Sequence, residues 1–461
     1  MHDYFALAAS VENRGRSVND LSESVLGKGA RTVFGMFVLL ALILVVAVFA
    51  AAAADTLVDK PEIVIPTFGL ILVAMLVGFL IYRTKFPLAL STLLGVAMLF
   101  GLLVLGTYVP VRLPVAAPAR WWTVILLIYS VAASVLPVWF LLQPRDHISY
   151  GILFLGMLFG LLGIVIVHPT VKAPAFVAYR APEGPLWPML FVMVACGAIS
   201  GFHSLVSSGT TSKQLPRIRD AGRIGYGAMI TESALAVIAI ISVAAGLYWS
   251  REQIPAGVEG TVYGEVFRQG WIKAFGVGYG ELTKAFFGRQ LAPMVGIILL
   301  NAFIVTTLDT AARITRYICC ELVGDTFRVS VFRNRYVATI TVTLAAAALA
   351  LGNWKAIWPI FGSANQLIAA LVLIVGTAYL LTRNRPWLFT AIPADFVLIT
   401  TIGALVLKAI GFLKGSPGTG PNYVLGVIAV VLSCLGLFVA YRGAVCIVHA
   451  RRQQVTAAGG A

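Results

Sequence analysis

The chain has 461 residues, of which 59% are hydrophobic and only 11% are charged. A soluble domain carries about 25% charged residues, so this composition excludes an ordinary soluble protein and indicates an integral membrane protein. The formal net charge is +15. Most of the basic residues lie in short loops between apolar runs, as the positive-inside rule describes. No stacking aromatic residues are interleaved with them, so nucleic-acid binding is not predicted.

Twelve apolar runs are candidates for spanning helices, each of which needs about 20 apolar residues. They lie at residues 33–54, 64–82, 88–108, 121–142, 148–167, 186–207, 225–248, 291–310, 337–352, 357–381, 388–411 and 422–448. With the N-terminus in the cytoplasm, most of the 34 Lys and Arg residues fall on the inner side, and an even number of spans places both termini there.

The predicted fold class is therefore all-α, a polytopic membrane helix bundle of about 12 transmembrane helices. A cytoplasmic N-terminal segment, residues 1–32, precedes one transmembrane domain, residues 33–449, and a cytoplasmic tail, residues 450–461, follows it. The longest gap between spans, residues 249–290, is predicted to be an external loop region. It could be a lid, an amphipathic surface helix or a simple connector.

The sixth run passes directly into a stretch rich in glycine and hydroxyl residues. Irregular backbone at membrane depth is tolerated mainly where it lines an enclosed cavity, and interrupted helices form the substrate site of transporters. We therefore expect the helix to loosen between Gly197 and Thr211. The predicted substrate-binding residues there are Gly197, Ser200, Gly201, His203, Ser207 and Thr210. The alternative is close helix packing by small residues, with the hydroxyls bonded to backbone.

A second polar interruption occurs within the run 357–381. Asn365 is predicted to be a further substrate-binding residue, and Gln366 lies beside it. Amide side chains inside an apolar helix need partners, so interhelical hydrogen bonding is an equally open alternative to cavity lining for both.

Two carboxylates within predicted spans, Glu232 and Asp309, are expected to carry protons or to pair with a substrate amine. Ionisable residues inside a membrane are expensive and usually face an interior or a water-filled cavity. The alternative for each is a structural ion pair, and Arg313, four residues after Asp309, is the obvious partner. A third carboxylate, Asp395, follows Pro393 and could instead mark a kink.

Motifs for catalysis are missing from the sequence. It has no Walker loop, HExxH or GxSxG, so we predict neither an ATP-driven pump nor an enzyme. The five cysteines have neither a metal-ligand spacing nor a disulfide framework, and no cofactor or metal ion is predicted.

Five motifs lie in order along nearly the whole chain. They are VLPVWFLLQPRD (135–146), CGAISGFHSLVSSGTTSK (196–213), GYGAMITES (225–233), LDTAAR (308–313) and WPIFGSANQ (358–366). Together they resemble the carbon starvation protein A (CstA) family. The resemblance implies a bacterial inner-membrane transporter, induced on nutrient limitation, that imports peptides or pyruvate with protons. It also implies kinship with amino-acid transporters built from two inverted five-helix repeats, the interrupted helix opening the second.

Members of that family begin with further spanning helices, including a His- and Gly-rich segment that resembles an unwound first helix. Here the chain opens with His2, Asp3 and Tyr4, which look like the end of a later helix. We therefore expect an incomplete first repeat and a partner chain that supplies the missing N-terminal helices. The alternatives to a transporter are a non-transporting membrane sensor or assembly partner, an inactive transporter fragment and a channel. The sequence does not choose between peptide and pyruvate, or between proton and sodium.

Overall fold

The computed structural model describes residues 2–84, 86–181, 183–197, 199–256, 260–415 and 420–459. These residues are almost entirely helical and include a two-stranded antiparallel ribbon, β1 (Arg180–Ala181) with β2 (Gly184–Pro185). The α-helices are α1 (His2–Glu12), α2 (Val18–Leu26), α3 (Lys28–Asp59), α4 (Val64–Arg83), α5 (Leu88–Tyr108), α6 (Pro118–Val135), α7 (Leu142–Val167), α8 (Leu186–Val194), α9 (Gly201–Gly209), α10 (Asp220–Gly246), α11 (Tyr263–Phe267), α12 (Trp271–Cys319), α13 (Arg335–Ala350), α14 (Trp354–Thr382), α15 (Leu388–Lys414) and α16 (Tyr423–Gly459).

Ten helices within the described ranges are long and apolar enough to cross a membrane, which confirms the predicted all-α membrane bundle. The other two predicted spans differ from this pattern. The segment 186–207 is divided between α8 and α9, and the segment 337–352 forms α13, a helix of 16 residues. A relation to the inverted-repeat transporter fold stays a prediction.

Several helix ends differ from the predicted boundaries for local physical reasons. α6 ends at Val135 and not at residue 142, because Pro137 disfavours helical backbone at the residue before it. α3 already begins at Lys28, and α16 continues to Gly459, so both ends of the predicted domain 33–449 fall inside helices. Both helices continue through polar residues beyond their apolar runs, and those residues keep a helical backbone.

The chain forms two compact units, the first of which comprises residues 1–48, 178–233 and 314–461. α14 is the central helix of this unit and contacts α1, α2, α8, α9, α15 and α16. In its most apolar window, 89% of the residues are buried. Polar residues of α14 therefore lie inside the unit and must find partners on the surrounding helices.

The second unit comprises residues 49–177 and 234–313. α4, α5 and α7 pack against one another there around an apolar cluster that includes Leu70, Val77 and Ile148. These helices place Arg145, near the start of α7, in the interior of the unit, where it is 1% exposed.

Part of the predicted external loop region, residues 249–290, is helical. The first limb of α12 folds back on the second at Gly288, whose φ of 73° lies in the left-handed region that glycine tolerates. A Cβ on Gly280 would lie 2.7 Å from the backbone nitrogen of Pro293, so glycine permits the close contact between the limbs. The last part of this region is therefore a helix packed against the span that follows it, and its external position and its role stay predictions.

Candidate functional site

α8 and α9 are two nine-residue helices separated by irregular backbone. α8 ends at Val194, a 3-10 turn covers Ala195–Gly197, and Ser200 is extended with φ −120° and ψ 110°. Neither helix alone could cross a bilayer, which requires about 20 residues. The predicted interruption is therefore present, and both Gly197 and Ser200 lie within it.

The interruption is shorter than the expected range from Gly197 to Thr211. α9 is regular from Gly201 to Gly209, so His203 and Ser207 lie on helical backbone. Thr210 follows the end of α9 and precedes a second 3-10 turn. Glycine and serine weaken a helix, yet here the helix resumes at Gly201 because a side chain from another element caps it.

Asn365 on α14 is that cap, and it bridges the two sides of the break. Its Oδ1 accepts a hydrogen bond from the Phe202 N–H at 2.8 Å, whereas the Ser200 side chain makes no capping bond to α9. Its Nδ2 donates to Cys196 Sγ at 3.3 Å and to Ser200 Oγ at 3.2 Å. Gln366 donates to the backbone of α8. These bonds favour interhelical hydrogen bonding for both amides, and substrate contact by Asn365 stays a prediction.

Gly201 lies in close contact with α14. A Cβ at this position would meet the carbonyl oxygen of Asn365, the side chain of Ile368 and the backbone nitrogen of Ala369. Backbone atoms cannot move aside as a flexible side chain can. Gly201 is therefore required for the packing of α9 on α14, whatever contact it makes with a solute.

Gly201→Ala is expected to lower the stability of the folded protein by about 1–3 kcal/mol, because the added methyl group overpacks a backbone contact. Gly209→Ala is the matched control, since a Cβ there meets no described atom within 4 Å. Thermal unfolding in detergent measures both. Equal midpoints for the two variants would contradict the close contact.

The middle of α10 brings Glu232 to His203. His203 Nδ1 lies 3.0 Å from Glu232 Oε2, and the two side chains are 25% and 30% exposed. The sequence singled out both residues but gave no reason to pair them. A carboxylate and an imidazole in contact can hold a proton between them, and the protein does not fully cover either side chain.

Two residues that the sequence analysis did not select, His2 and Asp3, complete this group. His2 Nε2 lies 2.9 Å from Asp3 Oδ1, and Ser204 on α9 donates to the same oxygen at 3.1 Å. Both residues are buried, at 7% and 6% exposure. The available signal was a histidine next to an aspartate at the start of a mostly apolar helix. It was not used because residues 1–32 were predicted to be a cytoplasmic segment.

The three groups contributed by α1, α9 and α10 lie close together. An Asp3 carboxylate oxygen, a ring nitrogen of His203 and a Glu232 carboxylate oxygen are within 4.8 Å of one another. Bonds between histidine and carboxylate already engage His203 Nδ1, Glu232 Oε2 and Asp3 Oδ1. These four residues (His2, Asp3, His203 and Glu232) are called the acid–imidazole cluster below.

Asp309 on α12 has a different environment. Its Oδ2 forms an ion pair with Arg145 on α7 and accepts a hydrogen bond from the Tyr129 hydroxyl at 2.7 Å. Arg145 also donates to that hydroxyl at 2.8 Å. The side chains of Arg145 and Asp309 are 1% and 2% exposed, so this pair is closed to solvent.

Arg313, the partner considered under the alternative of a structural ion pair for Asp309, forms no ion pair with it in the described part of the chain. Arg313 instead donates to the carbonyl oxygens of Ala133 and Leu136, each at 2.6 Å. Carbonyl groups at a helix C-terminus lack intrahelical partners, and α6 ends at this point. Helical spacing suggested the neighbour four residues away, but Arg313 Nη2 donates to these two carbonyls, and Arg145 from another helix pairs with Asp309.

Comparison with known proteins assigns the chain to a family. The sequence model of the family described as "Carbon starvation protein CstA" matches residues 1–265 and 253–404. The chain belongs to the carbon starvation protein CstA family. It is therefore a multi-pass membrane transporter, and the resemblance predicted from the five motifs is confirmed.

Curated relatives of the chain carry two kinds of name. The "Pyruvate/proton symporter BtsT" of Escherichia coli is 30% identical over 491 residues, a match that covers 88% of this chain and 68% of that protein. The "Peptide transporter CstA" of Bacillus subtilis is 25% identical over 486 residues, covering 95% of this chain and 79% of that protein. Among solved structures, an Eremococcus coleocola manganese transporter is similar with a TM-score of 0.45 and 13% identity, covering 98% of this chain and 95% of that one.

Proposed function

We propose that this chain imports peptides or pyruvate together with protons across the bacterial inner membrane, with both termini in the cytoplasm. The names of the relatives support both substrates, and one of those names includes the proton. Peptides and pyruvate have a carboxylate in common. A site that binds this group and a neighbouring site that binds a proton would therefore serve either substrate.

The N-terminus of α9 is the proposed carboxylate site. A helix N-terminus carries partial positive charge, and broken helices in transporters direct such ends at anionic substrate groups. Gly197, Ser200 and Gly201 are the proposed contacts at this end of α9, with Ser207 and Thr210 further along. The interruption before Gly201 supports this position, because it puts a helix end in the middle of a segment that would otherwise span.

The contact between His203 and Glu232 is the observation that carries the proposed proton coupling. His203 is the third residue of α9, so the pair lies within one turn of the proposed carboxylate site. Without a bound proton the pair carries a negative charge, which repels a substrate carboxylate. With one proton the pair is neutral, so proton binding and substrate binding favour each other.

For Asp309 we propose a structural role. Its closed pair with Arg145 and Tyr129 supports a fixed carboxylate that joins α7 to α12. A proton-coupling role for Asp309 stays a prediction. Glu232 is the better candidate for coupling, because it contacts an imidazole that can share its proton and no guanidinium pairs with it in the described part of the chain.

Uptake by the purified chain in liposomes tests this proposal. We expect labelled pyruvate or a labelled dipeptide to accumulate when the outside is more acidic than the inside. A protonophore should abolish the accumulation, and an inward sodium gradient alone should not produce it. A chain that folds but accumulates neither substrate would reject transport by this chain alone and favour a sensor or assembly partner.

A further inference from the structure

α1 lies along α9 and contacts it from the helix break onward. His2 Nε2 lies 2.8 Å from the carbonyl oxygen of Ser200, the residue that precedes α9. Near the other end, Ser10 Oγ donates to the carbonyl oxygen of Ser208 at 3.1 Å. The first residues of α1 are therefore fixed against the backbone of the break.

One ring nitrogen of His2 faces two acceptors. Its Nε2 is 2.9 Å from Asp3 Oδ1 and 2.8 Å from the Ser200 carbonyl oxygen. A carboxylate and a carbonyl can only accept, so Nε2 must carry a hydrogen, and that hydrogen is shared between them. A change in the charge on Asp3 therefore changes the bond that His2 makes to Ser200.

Asp3 in turn faces the proposed proton-coupling pair. A carboxylate oxygen of Asp3 lies within 4.8 Å of a His203 ring nitrogen and a Glu232 carboxylate oxygen, so a positive charge on His203 attracts it and a negative charge on Glu232 repels it. Asp3 thus lies between two imidazoles, His2 on its own helix and His203 on α9.

Other titratable groups beside α1 lie at its far end. Glu12 accepts hydrogen bonds from Tyr379 on α14 and from Arg383, the residue after that helix, and Lys213 lies beside Gly15. On the α14 side, the amide of Asn365 bonds the break, and an amide does not titrate. The charge that acts on Asp3 is therefore set within the acid–imidazole cluster.

We propose that Asp3 and His2 are positioning residues that couple proton binding at His203 and Glu232 to the backbone of the helix break. This inference rests on the proposed proton coupling. A proton on His203 draws the Asp3 carboxylate, which leaves the His2 N–H to hold the Ser200 carbonyl. Loss of that proton turns the His2 N–H towards Asp3 and releases the carbonyl, so the break loosens when the pair is deprotonated.

Cys196 reports on the break without any need for transport. It belongs to the 3-10 turn before Ser200 and accepts a hydrogen bond from Asn365. Replacing the other four cysteines by alanine leaves Cys196 as the single thiol. The four are Cys319, Cys320, Cys434 and Cys446. The rate at which Cys196 reacts with N-ethylmaleimide, in proteoliposomes and with the purification tag at the C-terminus, measures access to the break.

Thiol ionisation alone raises that rate about tenfold for each pH unit below the thiol pKa, and this rise is common to all variants. With Asp3 present we expect a steeper rise between about pH 5 and 8, where histidine titrates, amounting to a severalfold excess at the upper end. Asp3→Asn and His2→Gln should both return the slope to that of thiol ionisation. Asp325→Asn, at an exposed pair with Arg333, should keep the steep slope.

The outcomes separate this inference from the proposed function. The same slope in the parent, Asp3→Asn and His2→Gln proteins would overturn the coupling role of α1, even where proton-driven uptake is observed. Absence of uptake by the parent chain would overturn the proposed function and this inference with it. His2→Gln supplies an amide nitrogen with two hydrogens, which can bond the Ser200 carbonyl and Asp3 at the same time and so removes the competition between them. It therefore tests the idea even where Asp3→Asn does not fold.

Discussion

Glu232→Gln is expected to abolish proton-driven accumulation of substrate while leaving the folded protein in the membrane. Glutamine keeps the size of the side chain, and its carbonyl oxygen can still accept a hydrogen bond from His203 Nδ1, which is now 3.0 Å from Glu232 Oε2. It cannot take up or release a proton at any working pH. Accumulation of labelled pyruvate or dipeptide under an inward proton gradient measures the effect.

Exchange of labelled for unlabelled substrate across the same liposomes distinguishes lost coupling from lost binding. Exchange needs no net proton movement, so we expect Glu232→Gln to retain it. Glu252→Gln, at an exposed carboxylate in the turn after α10, is the matched control and should transport like the parent. Undiminished and equally pH-dependent accumulation by Glu232→Gln would reject the coupling role of Glu232.

Removal of either partner of the buried ion pair, by Arg145→Met or by Asp309→Asn, is expected to destabilise the protein by about 3–5 kcal/mol. Each change leaves the other group without its partner in a place that is almost closed to solvent. The amount of folded protein in the membrane and the midpoint of thermal unfolding in detergent both measure this loss.

The double variant with Arg145→Met and Asp309→Leu should be more stable than either single variant, because no unpaired charge is left buried. The control is Arg333→Ala, which breaks an exposed pair with Asp325 and should cost at most about 1 kcal/mol. If the buried pair were no more sensitive than this exposed one, Asp309 would not be a structural anchor, and its predicted proton role would gain support.

Long-range pairing of side chains could not be predicted from the sequence. Glu232 and His203 were each selected, but 29 positions separate them in the sequence, and no periodicity links two helices across a loop. Helical spacing did suggest a partner for Asp309, yet Arg145 from α7 pairs with it instead of Arg313. Local geometry ranks neighbours along one helix, whereas the packing of several helices determines which charges meet.

The sequence by itself determined the membrane environment, the helical class and the position of the interrupted span, because runs of apolar residues and a concentration of glycine and hydroxyl groups are local properties. It also carried the motifs that identify the family. Only the tertiary structure decided that the interruption is confined to the residues before Gly201, since Asn365 arrives from α14 to cap the helix that follows. It also decided that His2 and Asp3 adjoin this site, because burial and electrostatic contact depend on which helices pack together.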